Sequence, residues 1–280
     1  MPYGEERSFI AAGSIEEALA ARRHGARILA GGTWIMRDPR RGIGLPHAVV
    51  ALHRIPELSR IDVSETHVAI GAMVSHAALA DALAALPALK GLAGAARGAA
   101  NPAIRRVATV GGNLCTSEFA AADLVPALLA CEAETELQSA DGTALIPMDD
   151  FLRDRDTLLA GAILTRVRVP LAVTESAHVR LPLRKAGDYP VAIVSVAAGP
   201  DGMRIAVGSV EGRARRWSAL ETAIAAESDP LTPERVTRLA EANNDFTGRD
   251  SLEADGWYRR QVLPALAGRA FASLRQEALP

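Results

Sequence analysis

ILAGGTWIM (28–36) and TVGGNLC (109–115) carry nearly the same message twice. Each is a short apolar run that breaks on a Gly-Gly pair followed by a small polar residue, Thr33 in one and Asn113 in the other. Without a Cβ each glycine can take φ > 0, and successive N–H groups can then turn into one concavity that holds an anion. Thr33, Thr109 and Asn113 add side-chain donors around the turns. One such pair alone is more often only a tight turn. Two of them, eighty residues apart, leave the tight-turn reading and a two-sided cradle for a pyrophosphate evenly matched. Neither stretch fits G-x-G-x-x-G or G-x-x-x-x-G-K-[ST], which disfavours an ordinary dinucleotide fold and a P-loop ATPase.

Outward from the first pair, Ser14 and Glu17 form a capping-box pattern ahead of IEEALAARRHGA, a helix that Gly25 stops. RILA and HAVVAL (47–52) read as buried strands, giving a small β-α-β unit. LSRIDVSETHVAIGAMV alternates apolar and polar and turns at Ser64–Thr66, a hairpin. The alanine-rich stretch that follows is helical, with interruptions expected at Pro87 and Gly91. Beyond the second glycine pair, AADLVPALLACEAE is a helix with Asp123 in its first turn. A second hairpin turns at Asp141-Gly142, and a strand over 160–170 ends at Pro170. Two further strands meet at Gly199–Gly202, and the tail is helical at roughly 216–226, 232–243 and 255–275. The part after about residue 172 is expected to be an antiparallel sheet with helices on one face.

Composition restricts the function classes. The 280 residues are 49 % apolar and 23 % charged, with a net charge of −2, so no basic surface for nucleic acid is evident. No apolar run reaches the roughly 18 residues of a spanning helix, and the start, MPYGEERSFI, does not read as a signal peptide. The only cysteines, Cys115 and Cys131, are too few for a disulfide framework or a four-thiolate iron–sulfur cluster. They suit a reducing, cytoplasmic setting.

AGGT-W-I-M after a capped helix, and IRRVATVGGNLC followed by AADLVPALLA, resemble the FAD-binding medium subunit of the molybdenum hydroxylases, the xanthine dehydrogenase and carbon monoxide dehydrogenase family. LTRVRVP and LRKAGDYPVAIVSVAA extend the resemblance over almost the whole chain. It implies an α+β fold: a vanillyl-alcohol-oxidase-like (PCMH-type) FAD-binding domain over 1–172, in subdomains of about 1–55 and 56–172, and a smaller C-terminal domain over 173–280. Leu29, Ala30, Gly31, Gly32, Thr33, Trp34 and Ile35 would form the first pyrophosphate loop, and Thr109, Gly111, Gly112 and Asn113 the second. Ala99 would touch the flavin through its main chain, and Asp123 would bind a cofactor hydroxyl. Leu164 would pack on the adenine side, and Lys185 would approach the flavin or its phosphates. The family resemblance also implies partners: a large subunit with the molybdenum cofactor and a small subunit with two [2Fe–2S] clusters, in a heterotrimer or its dimer. In such an assembly this oxidoreductase subunit would pass electrons from the clusters through FAD to NAD⁺, a quinone, oxygen or another carrier.

Other residues keep blander readings beside sharper ones. No histidine has metal-ligand spacing, and no catalytic residue or metal site is expected in this chain; His76, at a helix start, is a candidate cap. Arg105-Arg106 could contact a phosphate or bond loop carbonyls, and Trp34 could stack near the flavin or pack in a core or interface. Two rival functions are a flavin-free assembly scaffold and a self-sufficient flavin oxidase of related fold.

Overall fold

The computed structural model describes residues 7–185 and 187–275. Strands β1 (Ser8–Ala11), β2 (Arg27–Leu29) and β3 (Ala48–Ala51) form a parallel sheet in the order β1-β3-β2. Parallel neighbours need a crossover, and helix α1 (Ile15–Arg23) supplies the first. Its start follows the sequence pattern: Ser14 Oγ accepts from the Glu17 N–H at 3.2 Å, while the Glu17 carboxylate reaches back to the Gly13 N–H at 2.7 Å. Ala18 and Leu19 of α1 pack with Val50 and Leu52.

A second, antiparallel sheet holds β4 (Ile61–Val63), β5 (His67–Gly71), β6 (Glu134–Ser139), β7 (Gly142–Pro147) and β8 (Ala162–Pro170) in the order β4-β5-β8-β6-β7. Between β5 and β6 run α2 (His76–Ala82), α3 (Lys90–Gly98), α4 (Pro102–Arg105), α5 (Val110–Cys115) and α6 (Leu124–Ala130). Helix α7 (Met148–Leu158) joins β7 to β8. The helical run breaks around Leu86 and Pro87, as proline requires. Gly91, expected as a second break, instead lies inside α3.

The reason is a docking contact. The third sheet, β9 (Glu175–Pro182), β10 (Pro190–Gly199), β11 (Gly202–Gly208) and β12 (Arg215–Arg216), is antiparallel in the order β12-β11-β10-β9. A Cβ on Gly91 would lie 2.7 Å from the Ala177 nitrogen of β9. The Gly91 N–H donates to Ser176 Oγ at 3.0 Å, and that hydroxyl donates to the Ala88 carbonyl at 2.6 Å. Helix α3 therefore sits directly on the β9 backbone.

The third sheet carries the C-terminal helices on one face, as expected, and α6 covers its other face. Helices α8 (Ser218–Ala225), α9 (Pro233–Ala242), α10 (Gly256–Gln261) and α11 (Leu263–Arg275) follow it. Val194, Val196 and Val207 join Trp217, Leu266 and Phe271 in one core. Ala197 and Ala206 join Leu124 and Leu128 of α6 in another. Strand β10 is buried from Pro190 through Ala197, the mark of a strand covered on both faces. No helix of the described residues is long and apolar enough to cross a membrane.

Two alanine substitutions in α3 should act in opposite directions. Gly94 has nothing within 4 Å of an added Cβ, so Gly94→Ala should stabilise the chain by up to about 1 kcal/mol through helix propensity alone. Gly91→Ala gains the same propensity but must push α3 off β9, for a net loss of about 1–2 kcal/mol. Urea unfolding measures both, and equal stability of the two variants would mean that α3 is not seated on the β9 backbone.

Candidate functional site: a cavity between the two glycine segments

A cavity of about 1130 Å³ opens where the loop after β2, the start of α5, the end of α3, strand β8 and the β9–β10 loop converge. This is at or above the upper end of the range for ligand sites, roughly 300–1,000 Å³, and suits a ligand of dinucleotide size. The two glycine segments meet along its wall. A Cβ on Gly31 would lie 1.7 Å from the Val107 carbonyl oxygen, and one on Gly112 would lie 3.9 Å from the Ala30 Cβ.

Their conformations differ from the sequence expectation of two matching turns with φ > 0. Only Gly32 of the four takes a left-handed conformation, with φ +72°. Gly111 and Gly112 lie in the first turn of α5. Thr109 caps that helix, its Oγ1 accepting from the Gly112 N–H at 3.0 Å, so the sequence T-V-G-G starts a helix rather than ending a strand. Gly111 is needed for space: its Cβ would meet Ala72 Cβ and O at 2.9 Å. That contact is held by the Gly111 N–H donating to the Ala72 carbonyl at 2.8 Å and the Val110 N–H to the Val74 carbonyl at 2.9 Å.

Of the residues singled out from sequence, Leu29 through Ile35, Ala99, Thr109, Gly111, Gly112, Asn113, Asp123 and Leu164 all line the cavity. Lys185 is exposed on the β9–β10 loop and is not among the lining residues, whereas Gly187, Asp188 and Tyr189 of the same loop are. Asp123 stands at the position before α6 but does not cap it. Its buried carboxylate instead accepts from Arg180 Nε at 2.8 Å, with His178 Nε2 at 3.6 Å. Arg180 carries no sequence signal beyond being one arginine on an amphipathic strand, and it was legible only through the fold.

The rim is aromatic and cationic. Trp34 packs on Phe119 with ring centroids 4.9 Å apart, and Phe119 on Tyr189 at 5.5 Å. Arg37 lies over both the Trp34 and Tyr189 rings, at 5.0 and 5.3 Å, and donates to the Tyr189 hydroxyl. Arg27 and Arg41 flank the buried Asp38 at 3.0 and 3.8 Å, and Arg41 also binds Glu118 at 2.6 Å. Arg105 donates to the Ala100 carbonyl at 2.7 Å, so it ties a loop; Arg106 is exposed. Most of the nearby cations are thus already committed to carboxylates, rings or carbonyls. A bound anion would have to draw chiefly on backbone N–H groups.

Two lining side chains keep unused polar atoms. Among the described residues, Asn113 Oδ1 and both ring nitrogens of His76 are buried without a hydrogen-bond partner. His76 does not cap α2; Ser75 does, accepting from the Ala78 N–H at 3.2 Å. Burial drives the His76 pKa down from 6.5 to about 4, against the opposing pull of the Asp123 charge. Cys115 packs against the core, and burial pushes its thiol up to about 12. Among the described residues no cluster of three or more metal-ligating side chains occurs.

These features make two predictions. Gly32→Ala leaves 3.5 Å to the nearest atom and should cost only the left-handed penalty of roughly 1–2 kcal/mol. Gly31→Ala must drive the loop off Val107, so it should lose dinucleotide binding at a protein concentration where Gly32→Ala still binds. Titration with FAD checks this, and equal binding by the two variants would sink the contact as a requirement. The second prediction concerns acid. Between pH 6.5 and about 4 the unfolded chain takes up a proton at His76 that the folded chain refuses. Stability from this group is therefore complete above 6.5, falls with falling pH, and has lost about 3 kcal/mol by pH 4. His76→Leu should flatten that part of the acid dependence in urea unfolding at pH 7 and pH 4.5; an unchanged slope would contradict it.

Known proteins share this sequence pattern and fold. Residues 5–172 match the family described as the FAD binding domain in molybdopterin dehydrogenase. The chain is 30 % identical over 266 residues to the nicotine 6-hydroxylase medium subunit of Paenarthrobacter nicotinovorans, covering 91 % of this chain and 93 % of that one. It is 25 % identical over 280 residues to the glyceraldehyde dehydrogenase medium chain of Sulfolobus acidocaldarius, covering 96 % and 98 %. Among solved structures, a chain of carbon monoxide dehydrogenase from Hydrogenophaga pseudoflava, crystallised without the Mo-pyranopterin moiety, superposes with a TM-score of 0.84 at 26 % identity, covering 96 % of this chain and 97 % of that one. The chain belongs to the FAD-binding family of the molybdopterin dehydrogenases, and is an oxidoreductase subunit of the xanthine dehydrogenase and carbon monoxide dehydrogenase type.

Proposed function

We propose that this chain is the electron-transfer subunit of a molybdenum hydroxylase complex, holding one FAD between its two glycine segments. The observation that carries the reading is their meeting across one cavity, Gly31 against Val107 and Gly112 against Ala30, although eighty residues separate the pairs. We assign the PCMH-type FAD-binding domain to residues 1–172, with subdomains of about 1–55 and 56–172, and the C-terminal domain to 173–280.

In this reading Leu29–Ile35 and Thr109–Asn113 bracket the diphosphate, chiefly through main-chain N–H groups. Asn113, whose buried oxygen has no partner among the described residues, takes a donor from the cofactor. Asp123 accepts from a cofactor hydroxyl while Arg180 holds its carboxylate in place. The Ala99 main chain and the Leu164 side chain pack on the rings, and Lys185 approaches from the exposed loop. Bound FAD supplies a group that accepts electrons singly or in pairs, and so can join one-electron iron–sulfur clusters to a two-electron acceptor. The chain's own task is to orient that group and shield it from water.

The clusters and the molybdenum would sit in partner subunits, in a heterotrimer or its dimer. Support comes from relatives that are themselves medium subunits of larger enzymes. A cytoplasmic setting is favoured by two free cysteines. An assembly scaffold without flavin would have no use for a cavity of this size, and a self-sufficient oxidase would need a second site over the flavin ring.

The test is to purify the chain, add FAD and remove the excess. About one FAD per chain should remain, and acid precipitation should release it into the supernatant. At FAD about a hundred times its Kd, unfolding should be opposed by roughly 2.7 kcal/mol more than in its absence. A chain that cannot be loaded would overturn the reading, as would steady oxidation of an organic substrate by the loaded chain alone.

A further inference from the structure

Arg180 is placed unlike the other arginines near the cavity. Its guanidinium donates to three acceptors that lie far apart in sequence: Asp123 Oδ1 at 2.8 Å, the Gly98 carbonyl at 3.1 Å and the Asp188 carbonyl at 2.6 Å. Its side chain is only 11 % exposed. Each acceptor is a lining residue or abuts one. Gly98 ends α3 and leads into Ala99 and Ala100, the latter held at φ +50°, an unusual conformation for a residue with a Cβ. Asp123 begins α6, and Asp188 precedes Tyr189 on the β9–β10 loop. These three segments come from different elements and share little besides the cavity. Meanwhile β9 itself belongs to the C-terminal sheet.

We propose that Arg180 is the positioning residue of the flavin site, the clamp by which the C-terminal sheet holds three walls of the cavity in register. The proposal rests on the flavin reading above. The chemistry requires arginine. Its planar fork presents five N–H donors in fixed directions, so one side chain can bind three acceptors without rearranging. A lysine ammonium is a single point on a flexible stem and can reproduce the charge beside Asp123 but not the set of three directions. His178, two residues earlier on β9, approaches the same carboxylate from the side and is itself anchored by Ser195 Oγ at 2.9 Å from its Nδ1. Strand β9 thus aims two side chains at Asp123, and only Arg180 also reaches the other two walls.

The experiment compares the full-length chain with Arg180→Lys, Arg180→Met and a control, Arg216→Lys. Arg216 binds Glu221 at 2.5 Å within the C-terminal part and does not line the cavity. FAD affinity is read by titration, the setting of bound FAD by its visible circular dichroism, and the fold by far-ultraviolet dichroism and melting without FAD. Arg180→Lys should keep the fold yet bind FAD about tenfold or more weakly, the effect of losing at least one charge-assisted hydrogen bond. The FAD that does bind should show an altered visible dichroism. Arg216→Lys should lower the melting temperature and leave FAD affinity within about twofold of wild type, the scatter expected for a site with no shared partner. Arg180→Met should exceed Arg180→Lys in its effect on FAD.

Wild-type affinity and dichroism in Arg180→Lys would overturn the proposal. So would a parallel loss of FAD affinity in Arg216→Lys, because that would trace the effect to general stability. Failure of Arg180→Met to fold leaves the decision with Arg180→Lys, and failure of both to fold would assign Arg180 to the core and overturn a positioning role. A wild-type chain that takes no FAD would remove the flavin reading itself, an outcome distinct from all of these.

Discussion

The close approach of two backbones at Gly31 and Val107 is the constraint on which the cavity depends. Any side chain at position 31 would have its Cβ within 1.7 Å of a carbonyl oxygen, far inside van der Waals contact, so the β2 loop and the segment before α5 can abut only through glycine. The loop carries one end of its geometry from the parallel sheet, through Leu29, and meets at the other a segment tied to residues 72–76. That second tie is backbone to backbone: the His76 N–H donates to Ala108 at 2.9 Å and the Gly111 N–H to Ala72 at 2.8 Å. Two units with separate sheets are thereby fixed against each other, beside the apolar packing of Ile163 and Leu58 on the α1 core, and the space left beside the junction is the cavity.

Electrostatics follow from the same economy of side chains. A diphosphate bound by lysines and arginines would require free cations, but here Arg27 and Arg41 hold the buried Asp38, Arg180 holds Asp123, and Arg37 lies between two aromatic rings. Pairing of this kind gives each buried carboxylate a cationic partner, and an unpaired charge would be costly in a partly buried wall. An anion bound here would be left to main-chain N–H groups, whose directions are set by the fold and do not fluctuate as long side chains do. Rigid donors of that type suit a resident cofactor better than an exchanging substrate.

What was legible in the sequence was what local rules determine. Ser14 caps α1, both hairpins turn where Ser64–Thr66 and Asp141-Gly142 stand, the turn at Gly199–Gly202 joins β10 to β11, and the C-terminal helices occupy the expected stretches, whereas β12 was not foreseen. The glycine pairs were legible as special but not in detail, because glycine serves both a left-handed turn and a close contact, and sequence does not distinguish them. Gly32 is the first case, while Gly31, Gly91 and Gly111 are the second. Thr109 also acts as a helix cap, which is how an apparent strand-to-turn became the start of α5. Arg180 and His76 were illegible for a different reason: their importance comes from residues distant in sequence, and a single sequence records no such distance.

The C-terminal sheet shows why that distance matters. Strand β10 is buried along most of its length because one face rests on α11 and the other on α6 of the flavin-binding part. Strand β9 packs against α3 through Gly91 with no side chain between them, and α3 ends at Gly98, next to Ala99 in the cavity wall. A shift of β9 relative to α3 would therefore be carried along a rigid helix to the cavity rather than absorbed by soft packing. Arg180 lies on the same strand, three residues beyond Ala177, and bonds the carbonyl at the far end of that helix. Helix α3 is thus pinned to β9 at both ends, by a glycine at its start and a guanidinium at its finish, which ties the geometry of the cavity wall to the sheet behind it.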